Sequence, residues 1–163
     1  MDKLVIRIAT LKDFDSILAI WLNYYGDSLC AGGLEEAKDY LTTQLIQQDM
    51  NYVFWVATLP EDGVIGWSSM FFLHPAPIPG VKGLFAENST YVAKEYRHMQ
   101  VGKKLLSNAL AYCKQTSIEF VQGFIDAKNV VSINMCLQLG FKEYARFSKK
   151  NEEAIFVLLF YSL

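Results

Sequence analysis

Apolar and polar positions set out a regular series of elements along the chain. Leu4, Ile6 and Ile8 alternate with Val5, Arg7 and Ala9, the period of a strand. Thr10 stands three residues before Asp13, the spacing of a capping box, and Phe14, Ile17, Leu18 and Trp21 then recur on one helical face. Asn23 to Gly33 carries glycines and few aliphatics and predicts a loop. A second helix is predicted from about Leu34 to Gln48, with a weaker stripe of Ala37, Tyr40, Leu41 and Leu45 that suits an exposed, movable element. Tyr52–Thr58 and Val64–Leu73 read as a hairpin across the turn sequence Pro60-Glu61-Asp62-Gly63. From His74 to Gly80 the prolines predict a stiff extended loop, because proline cannot donate to a ladder. Another strand follows from about Phe85 to Ala93.

The strongest helical signal runs from Val101 to Lys114. Val101, Leu105, Leu106, Ala109, Leu110 and Cys113 form one stripe, opposite Lys103, Lys104, Ser107 and Asn108. Phe120–Ile125 is a strand. Asn129–Leu139 is even between two readings: Val131, Ile133, Met135, Leu137 and Leu139 alternate as a strand does, whereas Gly140 is a natural helix C-cap. Two strands close the chain, about Phe141–Ser148 and Ala154–Tyr161, around the charged turn Lys149–Glu153. With a helix at 129–139 the order is β-α-α-β-β-β-α-β-α-β-β, a mixed α/β sheet in a single domain over residues 1–163.

Composition narrows the function classes. A chain of 163 residues, 52% hydrophobic, has enough apolar surface for a core without disulfides or metal. Its net charge of −2 lacks the basic surplus of a nucleic-acid protein. Three widely spaced cysteines (Cys30, Cys113 and Cys136) with two histidines predict a reducing, cytoplasmic setting and no zinc site. The opening MDKLVIRIAT has a charge inside its short apolar run, which predicts no signal peptide, and no apolar stretch nears the roughly 20 residues of a membrane helix. The expected partner is therefore neither nucleic acid nor membrane.

The candidate chemistry lies between Ser89 and Leu106, where a strand passes through a polar turn into the N-terminus of a strong helix. The first N–H groups of a helix have no internal partners and the dipole is positive there, which suits an anion such as a diphosphate. Gly102 allows close approach to the backbone, and Lys103 and Lys104 add charge. The sextet Arg97-His98-Met99-Gln100-Val101-Gly102 resembles the acyl-CoA loop of the GCN5-related N-acetyltransferase family, in which Arg or Gln is followed by two residues, Gly, one residue, then Gly or Ala. Downstream, Asn129 through Gly140-Phe141 resembles that family's second signature: Asn, a small residue three later (here Ser132), an apolar helix and a Gly-Phe pair opening a strand. The resemblance favours the helix at 129–139. Ala86-Glu87-Asn88-Ser89-Thr90-Tyr91-Val92 is similar to the corresponding strand of the phosphinothricin acetyltransferase-like subgroup, and Asn23-Tyr24-Tyr25-Gly26-Asp27-Ser28 is loosely similar to it as well.

The resemblance implies an enzyme that moves an acetyl group from acetyl-CoA to a primary amine of a small, amino-acid-like molecule. It implies Glu87 as catalytic base. For cofactor binding it implies the loop Arg97, His98, Gln100, Val101, Gly102 and Lys103, main-chain groups of Tyr91 and Val92, and Asn129 with Ser132. Tyr24, Tyr25, Trp67, Phe72 and His74 are candidates for the acceptor pocket. Family members also form homodimers through edge strands or the C-terminal region. Two positions depart from the pattern: Gln100 replaces a glycine, and Cys136 stands where many members have a Tyr that protonates the leaving thiolate. These departures motivate a second reading, a non-catalytic acyl-CoA sensor or interaction module. A peptide or protein acetyltransferase is a third.

Overall fold

The computed structural model describes residues 4–25, 33–49, 52–73, 82–148 and 154–163. Within them the order is β1 (Val5–Ile8), α1 (Phe14–Tyr25), α2 (Gly33–Ile46), β2 (Tyr52–Leu59), β3 (Gly63–Leu73), β4 (Phe85–Val92), α3 (Val101–Cys113), β5 (Phe120–Asp126), α4 (Val130–Gln138), β6 (Lys142–Ser148) and β7 (Ile155–Ser162). Short 3-10 turns at Leu11–Asp13 and Lys94–Met99 precede α1 and α3. This is the mixed α/β order read from the sequence. The expected loop after α1 starts later than predicted, because Asn23–Tyr25 continue the helix.

The chain gathers into two compact units, residues 1–71 with 89–109 and residues 72–88 with 110–163, so that β4 gives its second half to the first unit and its first half to the second. In the first unit β1, β2 and β3 are antiparallel neighbours, with Ile6 opposite Ala57 and Val56 opposite Trp67. A hydrogen bond of 2.9 Å joins Ser68 Oγ and Thr90 Oγ1, on β3 and β4. The run Val53–Ala57 is buried at every position, which requires cover on both faces of β2. On one face, Ile17, Leu18 and Ile20 of α1 and Leu41 and Leu45 of α2 pack with Phe54, Val56 and Trp67. Each such side chain removed from water stabilises by roughly 1.5–3 kcal/mol. On the other face Gly66 admits α3: a Cβ there would lie 3.3 Å from both Val101 and Leu105 and 3.0 Å from the Tyr91 carbonyl.

Entry into α1 is fixed by an ion pair as well as a cap. The Asp13 carboxylate accepts from the Thr10 backbone N–H at 2.8 Å and from both terminal nitrogens of Arg7 at 2.7 and 2.8 Å. Asp13 is buried, and the Arg7 hydrogen bonds hold its carboxyl below the ordinary carboxylate range.

In the second unit β5 lies between β4 and β7, parallel to the first and antiparallel to the second, and β6 forms the edge beyond β7. Phe85 stacks on Phe120 at 4.8 Å, and Val121, Val157 and Leu159 are fully buried. The alternating segment before Gly140 is helical. Asn129 caps it by accepting from Ser132 N–H at 3.2 Å. Its other end is a Schellman motif: Phe141 N–H bonds the Cys136 carbonyl and Gly140 N–H bonds that of Leu137, with Gly140 at φ 102°. The Gly-Phe pair of the sequence signature is thus a helix stop in which glycine supplies the left-handed backbone and buried Phe141 anchors the exit.

Candidate active site

Ala93 ends β4 by donating its N–H to the Ile65 carbonyl, and the 3-10 turn Lys94–Met99 carries the chain to α3. The junction is Gln100, at φ 58° and ψ 19°, the one non-glycine residue with positive φ among the described residues. Glycine stands at this position in the loop pattern, and the backbone geometry explains why: the chain must turn left-handed to enter the helix. Lys104 N–H returns to the Gln100 carbonyl at 3.1 Å, so α3 winds directly from this residue. Its first turn contains no acidic side chain, Gly102 and Lys103 are half-buried, and Lys104 is exposed.

This donor set fits a diphosphate, as in acetyl-CoA: helix-start N–H groups, a glycine in the first turn and lysine charge with no nearby carboxylate on the helix. Arg97 is engaged differently. Its Nε donates to the Val92 carbonyl at 3.2 Å and its guanidinium lies 5.9 Å from the Tyr24 ring centre. That arrangement ties the turn to the end of β4 and to α1. His98 is exposed.

Tyr91 reaches a cavity of about 70 Å³ lined by Trp21, Tyr40, Leu41, Tyr52, Phe54, Trp67, Ser69, Ser89 and Tyr91. Trp67 packs 4.6 Å from Tyr91 and edge-on to Trp21 at 6.1 Å. The hydroxyls of Tyr40 and Tyr52 share a hydrogen bond. No carboxylate, ammonium or guanidinium is among the lining side chains. Trp67 is 3% exposed and its Nε1 has no hydrogen-bond partner among the described residues, an unusual state for a buried donor.

Of the acceptor-pocket candidates, Trp67 lines this cavity, and Tyr24 packs edge-on against Tyr91 at 5.2 Å. Tyr25 is the last residue of α1. Phe72 is buried and, five residues along β3 from Trp67, lies on the opposite face of the strand. His74 and the proline-rich loop lie outside the described residues, as does Cys30. Sequence reasoning missed Trp21, Tyr40, Tyr52, Phe54, Ser69 and Ser89. Strand parity pairs Tyr52 with Phe54, but nothing in the sequence shows which helix faces them.

Glu87 is half-buried on β4, and its Oε2 accepts from Gln122 Nε2 at 3.0 Å. Asn129 spends its side-chain carbonyl on the cap described above, with Ser132 as the donor. Cys136 is buried, and burial pushes its thiol up to about 11. It therefore stays protonated and inert at neutral pH. Among the described residues no three His, Cys, Asp or Glu side chains gather as metal ligands, and no helix is long and apolar enough to cross a membrane.

In this mixed α/β chain a strand passes through a tight turn into a helix start whose donors fit an anion. The sequence model of the Acetyltransferase (GNAT) family matches residues 14–141, and the chain belongs to that family, whose members are acetyl-CoA-dependent N-acetyltransferases. A search of curated proteins gives no significant match. Among solved structures, a protein provisionally named a phosphinothricin N-acetyltransferase is similar at 21% identity and TM-score 0.76, covering 98% of both chains. Ribosomal-protein-alanine N-acetyltransferase from Brucella melitensis is 23% identical, with TM-score 0.76 over 98% of this chain and 99% of that one. NAA60 from Arabidopsis thaliana in complex with acetyl-CoA is 15% identical, with TM-score 0.78 over 98% of each. At these identities the likeness concerns the fold. The names alone span a small-molecule and a protein acceptor.

Proposed function

We propose that residues 1–163 act as one acetyltransferase domain that transfers an acetyl group from acetyl-CoA to the primary amine of a small molecule. The observation that carries the choice of a small acceptor is the aromatic cavity of about 70 Å³, whose lining has no charged side chain. It has room for several heavy atoms, since one water needs roughly 10–15 Å³ of such space, and it favours an uncharged part of the acceptor.

In this reading the N-terminus of α3, with Val101, Gly102 and Lys103, holds the diphosphate, while Arg97, His98 and Gln100 shape the turn before it. Main-chain groups of Tyr91 and Val92, with Asn129 and Ser132, receive the pantetheine arm. Bound acetyl-CoA supplies a thioester, an activated acyl group. Glu87 then removes a proton from the ammonium of the acceptor, because an alkylamine with a pKa near the ~10.4 of lysine is almost wholly protonated at neutral pH and has no free lone pair. Cys136 takes no proton-transfer role here. A thiolate leaving group, near pKa ~8.5, departs without a dedicated acid.

Calorimetric titration with acetyl-CoA tests the cofactor site: micromolar binding that Gly102→Trp abolishes is expected. Release of free thiol across a panel of primary amines, stopped by Glu87→Gln, tests the chemistry. The departures at Gln100 and Cys136 motivate a second reading, a non-catalytic acyl-CoA binder, and binding without thiol release on any amine would select it.

A further inference from the structure

Gln122 stands out as a polar side chain in an otherwise apolar stretch, Phe120-Val121-Gln122-Gly123-Phe124-Ile125, and it is 2% exposed. It is the direct register partner of Glu87 on the parallel pair β4 and β5, the third and last of the pairs Phe85–Phe120, Ala86–Val121 and Glu87–Gln122. Its Nε2 donates to Glu87 Oε2 at 3.0 Å, while its own Oε1 is buried without a partner among the described residues. A buried amide that uses one of its four hydrogen-bonding positions is a net cost which a methionine of similar size would not incur. Packing therefore does not explain it. The contact that remains is the one to the carboxylate.

We propose that Gln122 is a positioning residue for Glu87; the inference rests on the reading of Glu87 as the base. The Nε2–H bond occupies Oε2 and fixes the plane of the carboxylate, so that Oε1 is the oxygen that takes the proton. One proton moves from the substrate ammonium to that oxygen, leaving a neutral amine whose lone pair is free to form the new C–N bond. The amide orients without bringing a full positive charge. Among the described residues no lysine, arginine or histidine forms an ion pair with Glu87. A cation in place of Gln122 would stabilise the ionised carboxylate and oppose proton uptake.

The test is steady-state thiol release from acetyl-CoA, with a primary amine that the wild-type chain acetylates, chosen from amino-acid amides and amino alcohols. Gln122→Met keeps the volume and removes the donor, and Gln122→Asn keeps an amide too short to reach. Both are expected to lower kcat by about ten- to hundredfold, the scale of a misplaced catalytic group, with KM for acetyl-CoA unchanged. The Met variant should also melt no lower than wild type, which a purely structural glutamine would not allow. The double variant Glu87→Gln/Gln122→Met should be no slower than Glu87→Gln alone. Loss of activity with Glu87→Gln but full kcat in both Gln122 variants, or losses that multiply in the double variant, overturns the positioning role and leaves the base in place. No effect of Glu87→Gln, or no turnover of any amine by wild type, overturns the base and the positioning role together.

Discussion

Gln100 bears a left-handed backbone at the junction that starts α3, a conformation that costs an ordinary L-residue roughly 1–2 kcal/mol. The loop pattern has glycine there, and the structure supplies the reason. Gln100→Gly is expected to raise stability by about 1 kcal/mol once the greater freedom of unfolded glycine offsets part of the relief, measured as a higher denaturation midpoint at unchanged m-value. Gln100→Val should do the reverse, since a β-branched side chain tolerates positive φ least. Asp13 gives a prediction in pH. Its carboxyl is held below the usual range chiefly by the Arg7 hydrogen bonds. A depressed folded-state pKa contributes stability that is fully present above the unfolded value of about 3.9 and lost as pH falls through the folded value. Asp13→Asn is therefore expected to cost about 2 kcal/mol at pH 7, with its deficit narrowing below about pH 4. Urea titrations of both proteins across pH 2–7 check this. Thr10 and Asp13 are readable in the sequence as a cap; the Arg7 partnership is not, because it depends on where β1 ends relative to α1.

The strand-turn-helix from β4 to α3 is positioned by what packs beneath it. Gly66 is the contact point: an added Cβ meets the Tyr91 carbonyl at 3.0 Å and the Leu105 and Val101 side chains at 3.3 Å. Gly66→Ala is expected to destabilise by about 1–3 kcal/mol, the range for overpacking, and to weaken acetyl-CoA binding as well, because Val101 opens the proposed diphosphate site. A stability loss without any change in affinity would separate the packing from the site. The helices and strands themselves are legible to within about three residues, the end of α1 being the furthest off, since each carries its own period. The exception is 129–139, where both periods fit and the Asn129 cap and the Gly140–Phe141 stop decide for the helix. The 3-10 form of Lys94–Met99 has no periodic signature, so its sequence reads only as a polar turn.

For the whole molecule, cofactor and stability are linked. A ligand that binds the folded chain alone at a hundred times its Kd stabilises by about 2.7 kcal/mol, which for a chain of this size raises Tm by roughly 5–10 °C. Acetyl-CoA is expected to produce that shift in a thermal melt, and the Gly102→Trp variant should show none. The sequence by itself determined the mixed α/β order, the strand-turn-helix from β4 to α3 and the family, because these rest on local periods and on residues a few positions apart. Only the tertiary structure decided that Trp67, Tyr52, Tyr91 and Trp21 wall one cavity and that Gln122 donates a hydrogen bond to Glu87. Those relations join residues far apart in the chain. They depend on strand register and on which helix covers which face, and a pattern of polar and apolar positions states neither.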